Sequence, residues 1–354
     1  MSSNMQQAVV LREKGVIVYE PRPIPVIEDP RYVKVKIEKT GICGSDVHYY
    51  LHGSIGPFVV RSPMVLGHES SGTVVEVGSA VTRVSVGDRV AIEPGVPSRY
   101  SEETKSGYYN LCREMRFAAT PPYDGTLVKY YISPEDFLVK LPDSVSLEEG
   151  ALCEPLAVAV HANRLAGTQF PSRVAVFGAG PVGLLTASVA KAFGATTVAI
   201  VDISKHKLAV APALGVTHPI DSSGCSSPEA LADKLRAELG SDVDIAFDCS
   251  GAEVCIAASV LICRPGGTHV QVGSSRDYVS FPLAEATVKQ LRILGSFRYA
   301  AGDYATAVEL LASKRVDAAK LVTHRFPFER AVEAYKFNAA GGEDIIKTII
   351  DGPE

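Results

Sequence analysis

Three side chains of different chemistry, the Cys43 thiol, the His68 imidazole and the Glu69 carboxyl, sit in the glycine-rich frames Gly41-Ile-Cys-Gly-Ser-Asp46 and Gly67-His-Glu69. A thiolate, an imidazole and a carboxylate converging on one ion match zinc's borderline-soft preference, and three protein ligands leave a position open for substrate. No second histidine follows at helical spacing, which separates the pair from the His-Glu-x-x-His site of a metallopeptidase. Downstream, the apolar run Val174-Ala-Val-Phe177 leads into Gly178-Ala-Gly180-Pro181-Val182-Gly183, and the next apolar run closes on Asp202. In such a turn the first glycine permits the tight bend, the second lets the backbone approach a pyrophosphate, and the third allows close helix packing. A helix opening at Pro181 then directs N–H groups and positive dipole character at the phosphates. The Asp202 carboxylate suits ribose hydroxyls and repels a 2'-phosphate, so NAD is expected over NADP. Lys205 and Lys207 lie just beyond and read mainly as solvated helix residues. A metal beside a nicotinamide points to alcohol oxidation.

Two textures position these residues. From Gln7 to about Leu152 the chain is β-rich: Val33–Glu38 and Gly72–Val77 alternate at period two, and Gly87-Asp88 turns the chain into Arg89–Ile92. Short strands punctuated by glycine and proline predict a barrel-like domain. From about Ala151 to Ser296 strands alternate with helices, which calls for a parallel sheet covered on both faces. Val174–Phe177, Val198–Val201, Asp244–Cys249, Thr268–Val272 and Leu291–Gly295 read as strands of a sheet that six strands would fill, and Ser227-Pro-Glu229 opens a helix. A helical segment around Asp303–Lys314 and a β-branched tail, Ile345–Ile350, are expected to return to the first domain.

Composition sets the outer bounds. At 354 residues the chain exceeds the usual size of a single core, so two domains are expected. Its net charge of -5, with acids and bases interspersed, offers no basic stripe for nucleic acid. Met1–Gln7 shows neither a cationic nor an apolar targeting pattern, and no apolar run is long enough for a membrane helix. Seven scattered cysteines, an odd number, fit a reducing compartment, and a cytoplasmic location is expected. Most of them read as small buried hydrophobes.

Gly-Ile-Cys-Gly-Ser-Asp-Val-His at 41–48, Met-Val-Leu-Gly-His-Glu at 64–69, Glu-Pro-Gly at 93–95, Cys-Glu-Pro-Leu at 153–156 and Gly-Ser-Phe-Arg-Tyr at 295–299 resemble the zinc-dependent medium-chain polyol dehydrogenases over nearly the whole chain. The resemblance implies an α/β fold, a doubly wound Rossmann domain at 153–296 joined to a GroES-like, β-rich catalytic domain at 1–152, with 297–354 returning to the latter. It implies that Cys43, His68 and Glu69 ligate zinc, with Glu154 holding a water or entering as a fourth ligand. Ser45 and Asp46 would orient ligands or pass a proton, while Tyr49, Glu154, Arg298 and Tyr299 would meet the substrate. Gly178, Gly180, Pro181, Val182, Gly183, Asp202, Lys207, Val272, Gly273, Ser274, Phe297 and Arg298 would line the NAD site. The reaction implied is oxidation of a polyol's secondary alcohol to a ketose, most closely xylitol to D-xylulose, with sorbitol and L-arabinitol left open. Charged and hydroxyl groups at the site suit a substrate with several hydroxyls, which would otherwise be desolvated without partners.

Relatives with a second, structural zinc carry four cysteines at positions that here hold Ser98, Ser101, Thr104 and Cys112. One thiol and three hydroxyls do not make a structural tetrahedral site, so one zinc per subunit is expected. A homotetramer or homodimer is also implied. A metal-free quinone reductase on the same fold would have no use for the Cys43, His68, Glu69 and Glu154 set, and a non-catalytic dinucleotide sensor would show no polyol-dependent turnover.

Overall fold

Alternation along Tyr32–Gly41 buries Val33, Val35 and Ile37 on one side, and that apolar face organises the first half of the protein. The computed structural model describes residues 4–274 and 276–354. The chain divides into two compact units: residues up to Glu154 with Ala300–Ala312 and Val322–Glu354, and Pro155–Tyr299 with Ser313–Leu321. The segment from 297 is therefore shared between the units, residues 297–299 and 313–321 belonging to the second.

In the first unit, Tyr32–Gly41 pairs antiparallel with Glu69–Val77, and the register sets Gly41 opposite Glu69. Its other side pairs with Lys347–Asp351, with Ile349 opposite Gly41. The sheet runs Leu138–Lys140, Arg89–Ile92, Glu69–Val77, Tyr32–Gly41, Lys347–Asp351, Val322–Phe326, and Tyr130–Pro134 also pairs with Tyr32–Gly41. Val33, Val35, Ile37, Val74, Val90 and Ile92 form one core; each such side chain contributes about 1.5–3 kcal/mol when fully buried. A second core gathers Val9, Leu11, Met64, Leu66, Tyr335 and Ile350. Two layers thus hold the ends of three strands together at Gly41, Glu69 and Lys347.

In the second unit the strands are all parallel, in the order His218–Asp221, Thr197–Asp202, Arg173–Phe177, Val243–Asp248, Cys263–Gln271, Arg292–Gly295. Counted along the chain this is 3-2-1-4-5-6, the doubly wound arrangement, whose order reverses between Arg173–Phe177 and Val243–Asp248. The strand that the sequence pattern leaves unplaced is His218–Asp221. It is short and carries Pro219, which an edge strand tolerates because one side of it needs no hydrogen-bond donor.

Candidate active site

The chain leaves the Tyr32–Gly41 strand at Gly41, and Cys43 becomes the extended N-cap residue of the Gly44–His52 helix. Its thiol makes no capping bond. Ser45 lies half-buried in the first turn, while Asp46 and Tyr49 face inward. His68 precedes and Glu69 opens the Glu69–Val77 strand. A methyl group on Gly41 would come within 2.1 Å of Glu69 Oε2, so only glycine lets the two strands bring these side chains together. As a result one donor atom each of Cys43, His68 and Glu69 lies within 4.8 Å of the others, and His68 and Glu69 are buried.

The surroundings orient and balance these donors. His68 Nδ1 lies 3.2 Å from Asp46 Oδ1, and Tyr335 donates its hydroxyl to Asp46 Oδ2 at 3.0 Å. The Phe117 ring packs against the imidazole with ring centres 5.7 Å apart. Lys347, fully buried, pairs with Glu69 and donates to the Ile42 carbonyl at 3.0 Å. Burial opposes charging of His68, but the charges of Asp46 and Cys43 and their hydrogen bonds hold its pKa well above the ordinary value. Lys347 is likewise raised, burial being outweighed by Glu69, Cys43 and Glu154. Buried anions that draw a proton and an ammonium group this strongly also favour a metal cation, and the sulfur, nitrogen and oxygen donor set fits zinc.

Glu154 is buried in the first turn of the Cys153–Ala166 helix and contributes no atom to the three-residue cluster, although its charge acts on Lys347. Tyr304 donates to the Ile92 carbonyl at 2.7 Å; burial, then the charge of Glu154, raises its pKa well above the usual phenol range. Tyr49 packs into the apolar core that contains Ile42, Leu66 and Tyr335. Lys347, Tyr335 and Phe117 are not among the residues that sequence reasoning selects. Lys347 did leave a signal, a lone cation within the apolar tail Ile345–Ile350.

In the second unit, Gly178 has φ 97° and donates to Val201 O at 2.7 Å, while a methyl on Gly183 would sit 1.8 Å from Gly178 O. Gly180 caps the Pro181–Ala192 helix with Pro181 in its first turn and Val182 half-buried behind it, and a methyl there would meet nothing within 4 Å. This is an open cradle of backbone at a helix N-terminus, suited to a pyrophosphate. Asp202 accepts the Ala179 N–H at 2.6 Å and the Ser204 N–H at 2.8 Å, so its carboxylate also holds the turn, with lone pairs remaining for a ribose. Lys207 lies in the Lys205–Val210 helix. Val272 and Gly273 both donate to Asp248 O at 2.8 Å, beyond the end of the Cys263–Gln271 strand, and Ser274 is exposed. Phe297 is half-exposed beneath the Arg298 guanidinium at 4.7 Å; Arg298 has φ 56°, and Tyr299 is buried.

Residues 181–313 match the family model of zinc-binding dehydrogenases, and residues 29–143 match that of the alcohol dehydrogenase GroES-like domain. Sorbitol dehydrogenase 1 of Saccharomyces cerevisiae is 59% identical over the full length of both chains. The chain belongs to the zinc-dependent medium-chain polyol dehydrogenases. D-xylulose reductase of the same yeast, another relative of this polyol dehydrogenase, is 49% identical over 99% of the chain and 98% of its own length. A solved structure from Sinorhizobium meliloti, described as a zinc-binding dehydrogenase bound to NADP, is 30% identical with a TM-score of 0.89, covering 99% of the chain and 100% of its own.

The segment that holds Ser98, Ser101, Thr104 and Cys112 is organised by hydrogen bonds. Ser101 caps the Glu102–Lys105 helix by accepting the Thr104 N–H at 3.2 Å, and its Oγ lies 3.0 Å from Thr104 Oγ1. Burial disfavours the Cys112 thiolate, but hydrogen bonds from the Ser101 side chain, the Ser98 and Glu114 backbone and the Thr104 side chain lower its pKa. The lobe is also clasped from outside: Arg99 makes two bonds to Asp136, at 2.7 and 2.8 Å, and Tyr109 donates to the buried Glu93. Among the described residues no helix is long and apolar enough to cross a membrane.

Proposed function

We propose that this chain uses NAD to oxidise a secondary hydroxyl of a small polyol to the ketose, with one zinc ion held by Cys43, His68 and Glu69. The observation that carries the reading is the convergence of those three donors within 4.8 Å inside a ring of buried charges. Bound zinc supplies Lewis acidity to the substrate hydroxyl, and bound NAD accepts the hydride. Asp46, 3.2 Å from His68 Nδ1, holds the imidazole and would leave Nε2 as the nitrogen for zinc. Lys347 offsets the Glu69 charge, keeping the site near neutral as the substrate proton leaves. Glu154 holds a water at the site or enters as a fourth ligand, and Ser45 passes the proton outward. Tyr49, Arg298 and Tyr299 supply hydroxyl and guanidinium donors for the remaining substrate hydroxyls. Gly178, Gly180, Pro181, Val182 and Gly183 cradle the pyrophosphate, and Asp202 with Lys207 borders the adenosine ribose. Val272, Gly273, Ser274, Phe297 and Arg298 border the nicotinamide half.

Xylitol is the substrate to which the sequence motifs point, and sorbitol is an equal reading, since the relatives' names divide between a sorbitol dehydrogenase and a D-xylulose reductase. Asp202 favours NAD. The neutral Ser98, Ser101 and Thr104 hydroxyls favour a single zinc. The open Arg292–Gly295 edge, with Ile293 half-exposed, suits a homodimer or homotetramer, and seven free cysteines suit the cytoplasm. The test is initial rates on xylitol, sorbitol, L-arabinitol and ethanol, each with NAD and with NADP, before and after metal removal. The expected pattern is NAD-linked polyol turnover that Cys43→Ala or zinc removal lowers at least about 1,000-fold, a loss on the order of 4 kcal/mol of barrier lowering. Undiminished turnover without metal, or a preference for ethanol, would overturn the reading.

A further inference from the structure

The Gly44–His52 helix buries Asp46 and Tyr49 and leaves two imidazoles, His48 and His52, exposed. These two lie one turn apart, the spacing at which helix side chains become neighbours. Their ring centres are 4.5 Å apart. The rings are tilted by 52°, and if each turned one nitrogen on a shared ion about 2.1 Å away, ring centres at this separation would give an N–ion–N angle of about 90°. That angle suits tetragonal copper(II) or nickel(II) with nitrogen and oxygen ligands.

An outer contact accompanies the pair. His48 Nδ1 lies 2.9 Å from the Ser54 carbonyl, just past the helix end. A carbonyl can only accept, so Nδ1 carries the proton and Nε2 keeps its lone pair for an ion. Histidine ligands commonly have one ring N–H held by a backbone carbonyl in this way, which sets both tautomer and ring orientation. The structural alternative for His52 is a favourable interaction of its cationic form with the helix C-terminus, which Gly53 closes.

We infer that His48 and His52 form a surface site for a divalent transition cation of the copper(II) or nickel(II) class, completed by water and separate from the Cys43, His68 and Glu69 cluster. The probe is nickel(II) alone, dialysed to equilibrium at pH 7.5 against the zinc-loaded enzyme, with nickel and zinc both counted. The expected result is one nickel per chain bound without loss of zinc, and at least a tenfold weaker uptake in His48→Ala and in His52→Gln. His206→Ala, which removes another exposed helix histidine, leaves uptake unchanged. The inference is overturned if the wild-type chain takes up no nickel, if nickel enters only as zinc leaves, or if the His48 and His52 variants bind it as the parent does.

Discussion

The cluster at Cys43, His68 and Glu69 and the lobe at Ser98, Ser101, Thr104 and Cys112 solve opposite problems. The first gathers a thiol, an imidazole and a carboxyl, the last two buried, and sets a buried cation, Lys347, against the Glu69 carboxylate. The second has one thiol whose partners are neutral hydroxyls and backbone N–H groups, and its donors and acceptors satisfy one another. A site built of charges is costly to leave half complete, because a lone buried charge has no solvent to turn to. A site built of neutral hydrogen bonds closes on itself, each bond contributing only about 1 kcal/mol. The contrast is one of charge: a thiol, an imidazole and a carboxyl beside a buried ammonium in the first region, neutral hydrogen bonds in the second.

The sharpest way to break this comparison is Lys347→Met. It strands the Glu69 carboxylate, and a loss of about 3–5 kcal/mol is expected in the zinc-free protein, with Lys347→Arg losing less. Urea unfolding measures it, and equal stability of Met and Arg variants would remove charge balance from the account.

At the base of the lobe, burial holds the Glu93 carboxyl up from 4.5 to about 7. The native protein therefore keeps a proton that the unfolded chain has released, and stability falls as pH rises from about 4.5 to about 7, then levels. Glu93→Gln should remove that decline, a difference of about 3 kcal/mol across the window at about 1.4 kcal/mol per pKa unit. Unfolding measured at acid and alkaline ends checks it; parallel curves for parent and variant would count against it.

Asp46→Asn comes next in size. It weakens the orientation of His68, and zinc affinity should drop about 10–100-fold in competition with a chelator, while Tyr335→Phe, one bond further out, changes it less. Smallest is the joint change Ser98→Cys, Ser101→Cys and Thr104→Cys. Without zinc the triple variant should melt below the parent, since the Ser101 cap alone is worth about 1 kcal/mol; with zinc it should bind a second ion and melt higher. A variant that melts alike in both conditions would show that the lobe cannot be converted.

Much of the molecule was legible where the signal is local. Gly178 and Gly183 mark their turn because each meets a backbone requirement, a left-handed φ at Gly178 and the approach to Gly178 O at Gly183, and the strands around Val35 and Val74 show their alternation directly. The His218–Asp221 strand was not, because four residues with a proline carry too little periodicity. Ser98, Ser101 and Thr104 were grouped with Cys112 by their spacing, whereas the Glu114 backbone contact depends on how a short lobe folds back on itself.

By itself the chain of residue types determined the chemistry on offer: a soft-borderline ligand set, a phosphate cradle and a carboxylate for a ribose, each within a short stretch. Tertiary structure alone decided which of these charges meet. Strand register puts Glu69 opposite Gly41 and carries Lys347 to them from the far end of the chain, while the Ala331–Ala340 helix carries Tyr335 to Asp46. Electrostatic pairing acts over a few ångströms of space, a separation that distance along a chain does not encode.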